Sequence, residues 1–422
     1  MDINKLLNGV ECACGRIHKC DIRYVYIENG AIAKLEEICG EQQKLLIVAD
    51  ENTFAAAGKQ VCDALSHKEI TKVIFTGTKV LVPNEEAIQA VTEKLNGVEM
   101  IVGIGSGVIQ DLCKYVSFEN GIPYIIVATA PSMDGYASNG AAMITGGMKV
   151  TYNATLPVAI LADTKVLANA PMDMLKAGYG DIIGKFSALN DWKLSHCVNG
   201  EYYCDYIYTL TMEQVQKTLS LADGILTRNE ESVKAMMEAL VVIGILMSFA
   251  GSSRPASGSE HHLSHFFEIT GILDGTEYFS HGIDVVYSTV VTAMMRQAIL
   301  ERSFPRKIFR QSEEAYKSEM TRVYKGSADG CIALQKKVGN YTKDRLPVYL
   351  EKETEIRRIL AEMPTPEEIR NMLSLVKMDV TEFYQFYGKE KLTDAVRYAK
   401  ELKDRYTVLW LYYDLFGDDY DV

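Results

Sequence analysis

Short apolar runs alternate with amphipathic stretches over the first part of the chain, and this alternation predicts its elements. KLLIVADENT (44–53) reads as a strand entering a polar turn, and AAAGKQVCDAL after it reads as helical. KVIFTG (72–77) is a second strand, followed by a helix within 84–95. EMIVGIGSG (99–107) is a third strand ending in glycines, with an amphipathic helix over 108–118, and PYIIVATAPS (123–132) is a fourth. Continuous apolar strands separated by helices predict a parallel sheet covered on both faces. Ligands of such sheets lie beyond the carboxyl ends of the strands.

After about residue 170 the β-type runs stop. Helical periodicity takes over in 181–197, 209–226, 231–250, 284–301, 328–340, 365–377 and 391–416, punctuated by turn residues such as Pro255, Gly258, Gly271, Gly275 and Pro347. The expected organisation is therefore an α/β nucleotide-binding domain over 1–170 and an all-helical domain over 171–422. The cleft between two such domains is the default place for a ligand.

Composition changes this picture little. A chain of 422 residues with 48% hydrophobic and 24% charged residues is ordinary for a soluble globular protein. A net charge of −12 argues against nucleic acid or an anionic membrane as partner. The start lacks an apolar signal core, and the longest apolar stretch, 239–250, is too short to span a bilayer. Nine cysteines without a regular framework point to reduced thiols and a cytoplasmic location. Cys12, Cys14, His18 and Cys20 all have ligating side chains, although C-x-C-x3-H-x-C lacks the usual C-x2-C knuckle spacing.

The chemistry concentrates in 259–282, SEHHLSHFFEITGILDGTEYFSHG, which holds His261, His262, His265 and His281. On a helix His261 and His265 share one face, so either can join His281 at a divalent metal. This is not a zincin motif, because His262 stands where H-E-x-x-H needs its glutamate. Asp181, in GYGDIIGK (178–185), is expected at a helix start and offers the carboxylate that two imidazoles lack. Gly103, Gly105 and Gly107 suit a close backbone approach to phosphate at a helix start, but they match neither G-x-G-x-x-G nor a nucleotide P-loop. Thr129, Ser132, Asp134 and Ser138 place polar groups at the rim of the fourth strand. Asp50 either accepts from cofactor hydroxyls or caps the next helix. Arg254, among serines in SSRPASGS (252–259), either binds a small anion or sits in an ordinary helix–helix loop.

With TAPSMDGYAS, GYGDIIGK, Asp191-Trp192, SSRPASGSEHHLSH and His281-Gly282 assembled, the chain resembles the sn-glycerol-1-phosphate dehydrogenases over about residues 40–300. That family belongs with the iron-containing alcohol dehydrogenases, glycerol dehydrogenases and dehydroquinate synthases. The N-terminal ECACGRIH and the C-terminal LKDRYTVLWLYYDLFG look like its longer bacterial branch. The resemblance implies an NAD- or NADP-dependent dehydrogenase, with Asp181, His261 and His281 holding one divalent metal (zinc, nickel or iron). It places Asp134 and His265 near the substrate, and Gly105, Gly107, Val108, Ile109, Gln110, Asp111, Thr129, Ser132 and Ser138 at the cofactor, with Asp50 beside them. Where members often carry G-G-G-x-V-I-D, this chain has GIGSGVIQD, with Ile104 and Ser106 inserted among the glycines. The implied reaction interconverts dihydroxyacetone phosphate and sn-glycerol 1-phosphate, with Arg254 a further expected phosphate contact. A homo-oligomer without membrane insertion is expected. The alternatives are a polyol dehydrogenase, a dehydroquinate-synthase-like carbocycle synthase that recycles its NAD, or a metal-binding protein without catalysis.

Overall fold

The computed structural model describes residues 3–77, 81–146 and 148–420. Six parallel strands form its central sheet: β1 (Tyr24–Ile27), β2 (Lys44–Asp50), β3 (Glu69–Phe75), β4 (Met100–Gly105), β5 (Tyr124–Ala128) and β6 (Ala159–Ala162). Their spatial order is β1-β6-β5-β4-β2-β3, and every pair is parallel. All of β4, β5 and β6 is buried, which accounts for their unbroken apolar runs. The chain steps from β2 out to β3 and then returns across β2 to β4. This reversal opens a crevice at the carboxyl ends of β2 and β4.

The chain divides into two compact units, but not at a single cut near residue 170. One comprises 1–182 together with 209–252, and the other 183–208 together with 253–422. The second stretch of the sheet unit includes the helix Glu230–Ala250, whose apolar residues are almost all buried. Its Gly244 explains the assignment: a Cβ there would stand 2.8 Å from both the Asp134 carbonyl oxygen and Ala137 Cβ. The helix thus packs backbone-close on the loop after β5. A long apolar segment buries its surface wherever a complementary face exists, whatever its position in sequence.

Five helices carry the residues of interest: α1 (Gly107–Asn120), α2 (Met172–Ile183), α3 (Lys185–Asn199), α4 (Glu230–Ala250) and α5 (Ser259–Asp274). A sixth, α6, runs His281–Leu300. α4 and α6 have the length and hydropathy of membrane spans, but 83% and 72% of their apolar windows are buried within the protein. They are core helices.

Candidate active site

In the sheet unit, α1 begins at the crevice. Its N-cap Ser106 makes no side-chain bond to the helix amides, because its hydroxyl instead bonds the Ser132 hydroxyl. The first amides of α1 therefore keep no side-chain cap, the condition under which helix starts can receive an anion. Gly103 and Gly105 serve packing: a Cβ at Gly105 would stand 2.6 Å from Ile109 Cβ, and one at Gly103 would stand 2.9 Å from Cys113 Sγ. Gly107 differs, since a Cβ there would meet nothing within 4 Å.

The helix separates the expected cofactor residues by face. Gly107, Val108 and Asp111 are partly exposed, while Ile109 and Gln110 turn inward. Gln110 donates to the Tyr124 hydroxyl (3.1 Å) and the Tyr136 carbonyl (3.0 Å), a structural role. Asp50, at the end of β2, is the helix cap that the sequence allowed: one carboxylate oxygen accepts from the Asn52 and Thr53 amides at 2.9 Å each. The Thr129 amide donates to the Gly105 carbonyl (3.1 Å), and Ser138 caps the turn Asp134–Ala137. Gly107→Val should fold normally yet weaken NADH binding, because the added side chain fills the approach to the α1 amides. Calorimetry with NADH checks this, and an unchanged affinity would place the pyrophosphate elsewhere.

Asp181 lies in the last turn of α2, not at a helix start as the sequence pattern led us to expect. Gly178, one turn earlier, allows the approach, since a Cβ there would fall 1.7 Å from the Pro131 carbonyl oxygen. Fully buried, Asp181 accepts the Asp134 amide at 2.9 Å. A buried carboxylate at the negative end of a helix dipole is a place for a cation.

In the helical unit, α5 is fixed at its start by the buried Asp191 of α3. That carboxylate accepts from the Ser259 amide (2.7 Å), the Val408 amide (2.8 Å) and Arg296 (2.8 Å). Gly258 permits the contact, because a Cβ there would stand 2.7 Å from the Ala188 Cα. His261, His265 and His281 then converge, with ring centroids 5.0 Å apart for His261–His281, 5.7 Å for His265–His281 and 6.4 Å for His261–His265. The ligand atoms of His261 and His281 lie within 4.8 Å of each other.

Sequence reasoning passed over two partners of these rings. Glu260 accepts from His261 Nδ1 at 2.6 Å and from the Gly258 amide at 2.8 Å. Burial pushes the Glu260 carboxyl up, but the His261 bond and the Gly258 amide outweigh it and hold it below the usual range. An ionised Glu260 puts the proton on Nδ1 and leaves Nε2 as the donor atom, the carboxylate–histidine arrangement found behind metal ligands. Ser264 lies 3.3 Å from His281 Nδ1. The Glu-His dipeptide was the available signal for the first partner. His262, on the other face, is fully buried, and burial followed by nearby cations holds its pKa well below the usual value.

Arg254 departs from the expected anion contact. Its Nε donates to Glu201 Oε1 (2.7 Å), its Nη2 to Glu201 Oε2 (2.5 Å) and its Nη1 to the Tyr406 carbonyl (2.9 Å). The guanidinium is buried and committed to a carboxylate 53 positions away in sequence, which makes it a brace.

A parallel sheet with an uncapped helix start at its switch point, together with a helical unit that converges three histidines, defines a nicotinamide- and metal-dependent alcohol dehydrogenase. The iron-containing alcohol dehydrogenase family matches residues 26–171. Among solved structures, the sulfoacetaldehyde reductase of Bifidobacterium kashiwanohense in complex with NAD+ shares the fold with a TM-score of 0.60 at 12% identity, over 94% of this chain and 97% of that one. The glycerol-1-phosphate dehydrogenase (NAD(P)+) of Geobacillus stearothermophilus is 30% identical over 96% of both chains. That of Thermococcus kodakarensis is 35% identical over 65% of this chain and 77% of its own. The chain belongs to the glycerol-1-phosphate dehydrogenase family.

Proposed function

We propose that this protein reduces dihydroxyacetone phosphate to sn-glycerol 1-phosphate with NADH or NADPH, reversibly, and that Asp181, His261 and His281 hold the divalent metal it uses. The observation that carries the reading is the Glu260–His261 bond. It fixes the imidazole tautomer that a metal ligand needs, next to a second imidazole whose ligand atom lies within 4.8 Å. One carboxylate and two imidazoles suit zinc, nickel or ferrous iron and leave coordination positions for substrate. When bound, the metal supplies Lewis acidity toward the C2 oxygen and the nicotinamide supplies the hydride.

The chain's own residues do the rest. The α1 amides, with Gly107 leaving the approach open, hold the pyrophosphate. The Asp134 turn, pinned to α2 and α4 through Gly178 and Gly244, keeps its polar rim rigid where substrate and nicotinamide meet. His265, partly exposed beside His261 and His281, orients the substrate or passes the C2 proton.

Steady-state NADH oxidation with dihydroxyacetone phosphate, before and after chelation, tests this reading. Turnover that is lost on chelation and restored by metal is expected. Equal activity with an unphosphorylated ketone would instead mark a polyol dehydrogenase. Glu260→Gln should lower metal affinity about 10–100-fold by weakening the basicity and orientation of His261. Competition against a chelator of known affinity measures this, and an unchanged affinity would remove Glu260 from the site.

A further inference from the structure

A second cluster of ligating side chains lies far from the sheet crevice in sequence, on the N-terminal hairpin. Val10–Glu11 pairs antiparallel with Ile17–His18, and the intervening turn is closed by the Cys12 amide to the Arg16 carbonyl (3.1 Å) and the Gly15 amide to the Cys12 carbonyl (3.0 Å). Gly15 takes φ +83°, the left-handed conformation that lets so short a turn close. The turn folds Cys14 back over Cys12, whose sulfur accepts the Cys14 amide at 3.5 Å.

The strand after the turn brings in His18. Cys14 Sγ and His18 Nε2 are 3.5 Å apart. In a tetrahedral zinc site with Zn–S of about 2.3 Å and Zn–N of about 2.05 Å, the sulfur–nitrogen edge is about 3.6 Å. One ligand atom from each of Cys12, Cys14 and His18 falls within 4.8 Å of the others.

The surroundings of His18 are those of a ligand. Its exposure is 1%, and it stacks on Phe249 at the end of α4, with centroids 5.2 Å apart and planes within 11°. His18 Nδ1 lies 3.1 Å from the Phe249 carbonyl oxygen. A carbonyl only accepts, so Nδ1 carries the proton and Nε2 presents its lone pair toward Cys14. A backbone carbonyl fixing the tautomer in this way is the usual support for a metal-bound imidazole. Cys20, grouped with these residues by sequence, does not join them: it is buried, with its thiol against Ser248 and the Ile22 backbone.

We propose that Cys12, Cys14 and His18 form a structural zinc site separate from the catalytic metal. Thiolates and one imidazole select zinc over magnesium or calcium. The site would clamp the hairpin onto the end of α4, the helix that supports the Asp134 turn. The chain would then bind two metals per protomer, only one of them through sulfur.

Cobalt(II) substitution of the full-length protein tests this. Thiolate-to-cobalt charge transfer in the near ultraviolet arises only from sulfur ligation, and Asp181, His261 and His281 provide none. The wild type should show that band, and X-ray absorption of the zinc form should show Zn–S at about 2.3 Å. Cys14→Ser should lose the band and one metal equivalent while keeping metal-dependent NADH oxidation. A wild-type protein without sulfur ligation overturns the proposal even if the variants fail to fold. An unchanged band in Cys14→Ser overturns it as well. Failure of the proposed reaction would show as absent turnover and leave this spectrum intact, so the two readings fail separately.

Discussion

His261→Ala and His281→Ala should each be purified lacking the metal that supports turnover, with NADH oxidation lost along with it. Each change removes an imidazole from the proposed three-residue ligand set. The deficit should therefore exceed the roughly 10–100-fold loss expected from outer-shell changes such as Glu260→Gln. Asp181→Asn makes the same test of the carboxylate with less structural risk. The amide oxygen still accepts the Asp134 N–H, now made at 2.9 Å, while the charge proposed for the metal is removed. Elemental analysis together with kinetics on the three variants reads the outcome. Full metal content and turnover in Asp181→Asn would show that the cation expected at the end of α2 binds elsewhere.

The parts of this site legible in the sequence were those whose signal is local. β2, β4 and β5 are continuous apolar runs followed by turns, so burial on both faces left its mark on consecutive residues, whereas the edge strand β3 showed only through its shorter apolar end. The outer strand β1 and its neighbour β6 have four residues each, too few for a periodicity to show against flanking polar positions. Asp181 was recognisable as a residue but not by its place. GYGD reads as a helix start because glycines usually interrupt helices, yet Gly178 is there so that a continuing helix can touch the Pro131 carbonyl. The pairing of Arg254 with Glu201 and the seating of His18 on the Phe249 carbonyl join residues 53 and 231 positions apart. No local pattern records such contacts. They explain why one expected anion site became a brace and why a weak cysteine spacing gathers side chains able to hold a metal.

His265 and His261 share a face of α5, and spacing alone does not say which one serves the metal. Their partners differ. His261 is 5% exposed with its Nδ1 held by Glu260, whereas His265 is more open and lies across from His281 at 5.7 Å between centroids. A ligand needs a tautomer and ring orientation fixed by a second partner. A group that passes a proton needs access to substrate. His265→Ala should therefore keep its metal and its NADH affinity and lose turnover by roughly two to four orders of magnitude, the range for a proton-transfer or orienting group. His265→Gln separates the two duties, because the amide can still hydrogen-bond the substrate but cannot pass a proton at neutral pH. Recovery of most of the lost kcat in His265→Gln would mean orientation, and no recovery would mean proton transfer. Metal content measured beside the kinetics decides the assignment itself: if His265→Ala is the variant that emerges without metal while His261→Ala retains it, the roles of the two histidines are exchanged.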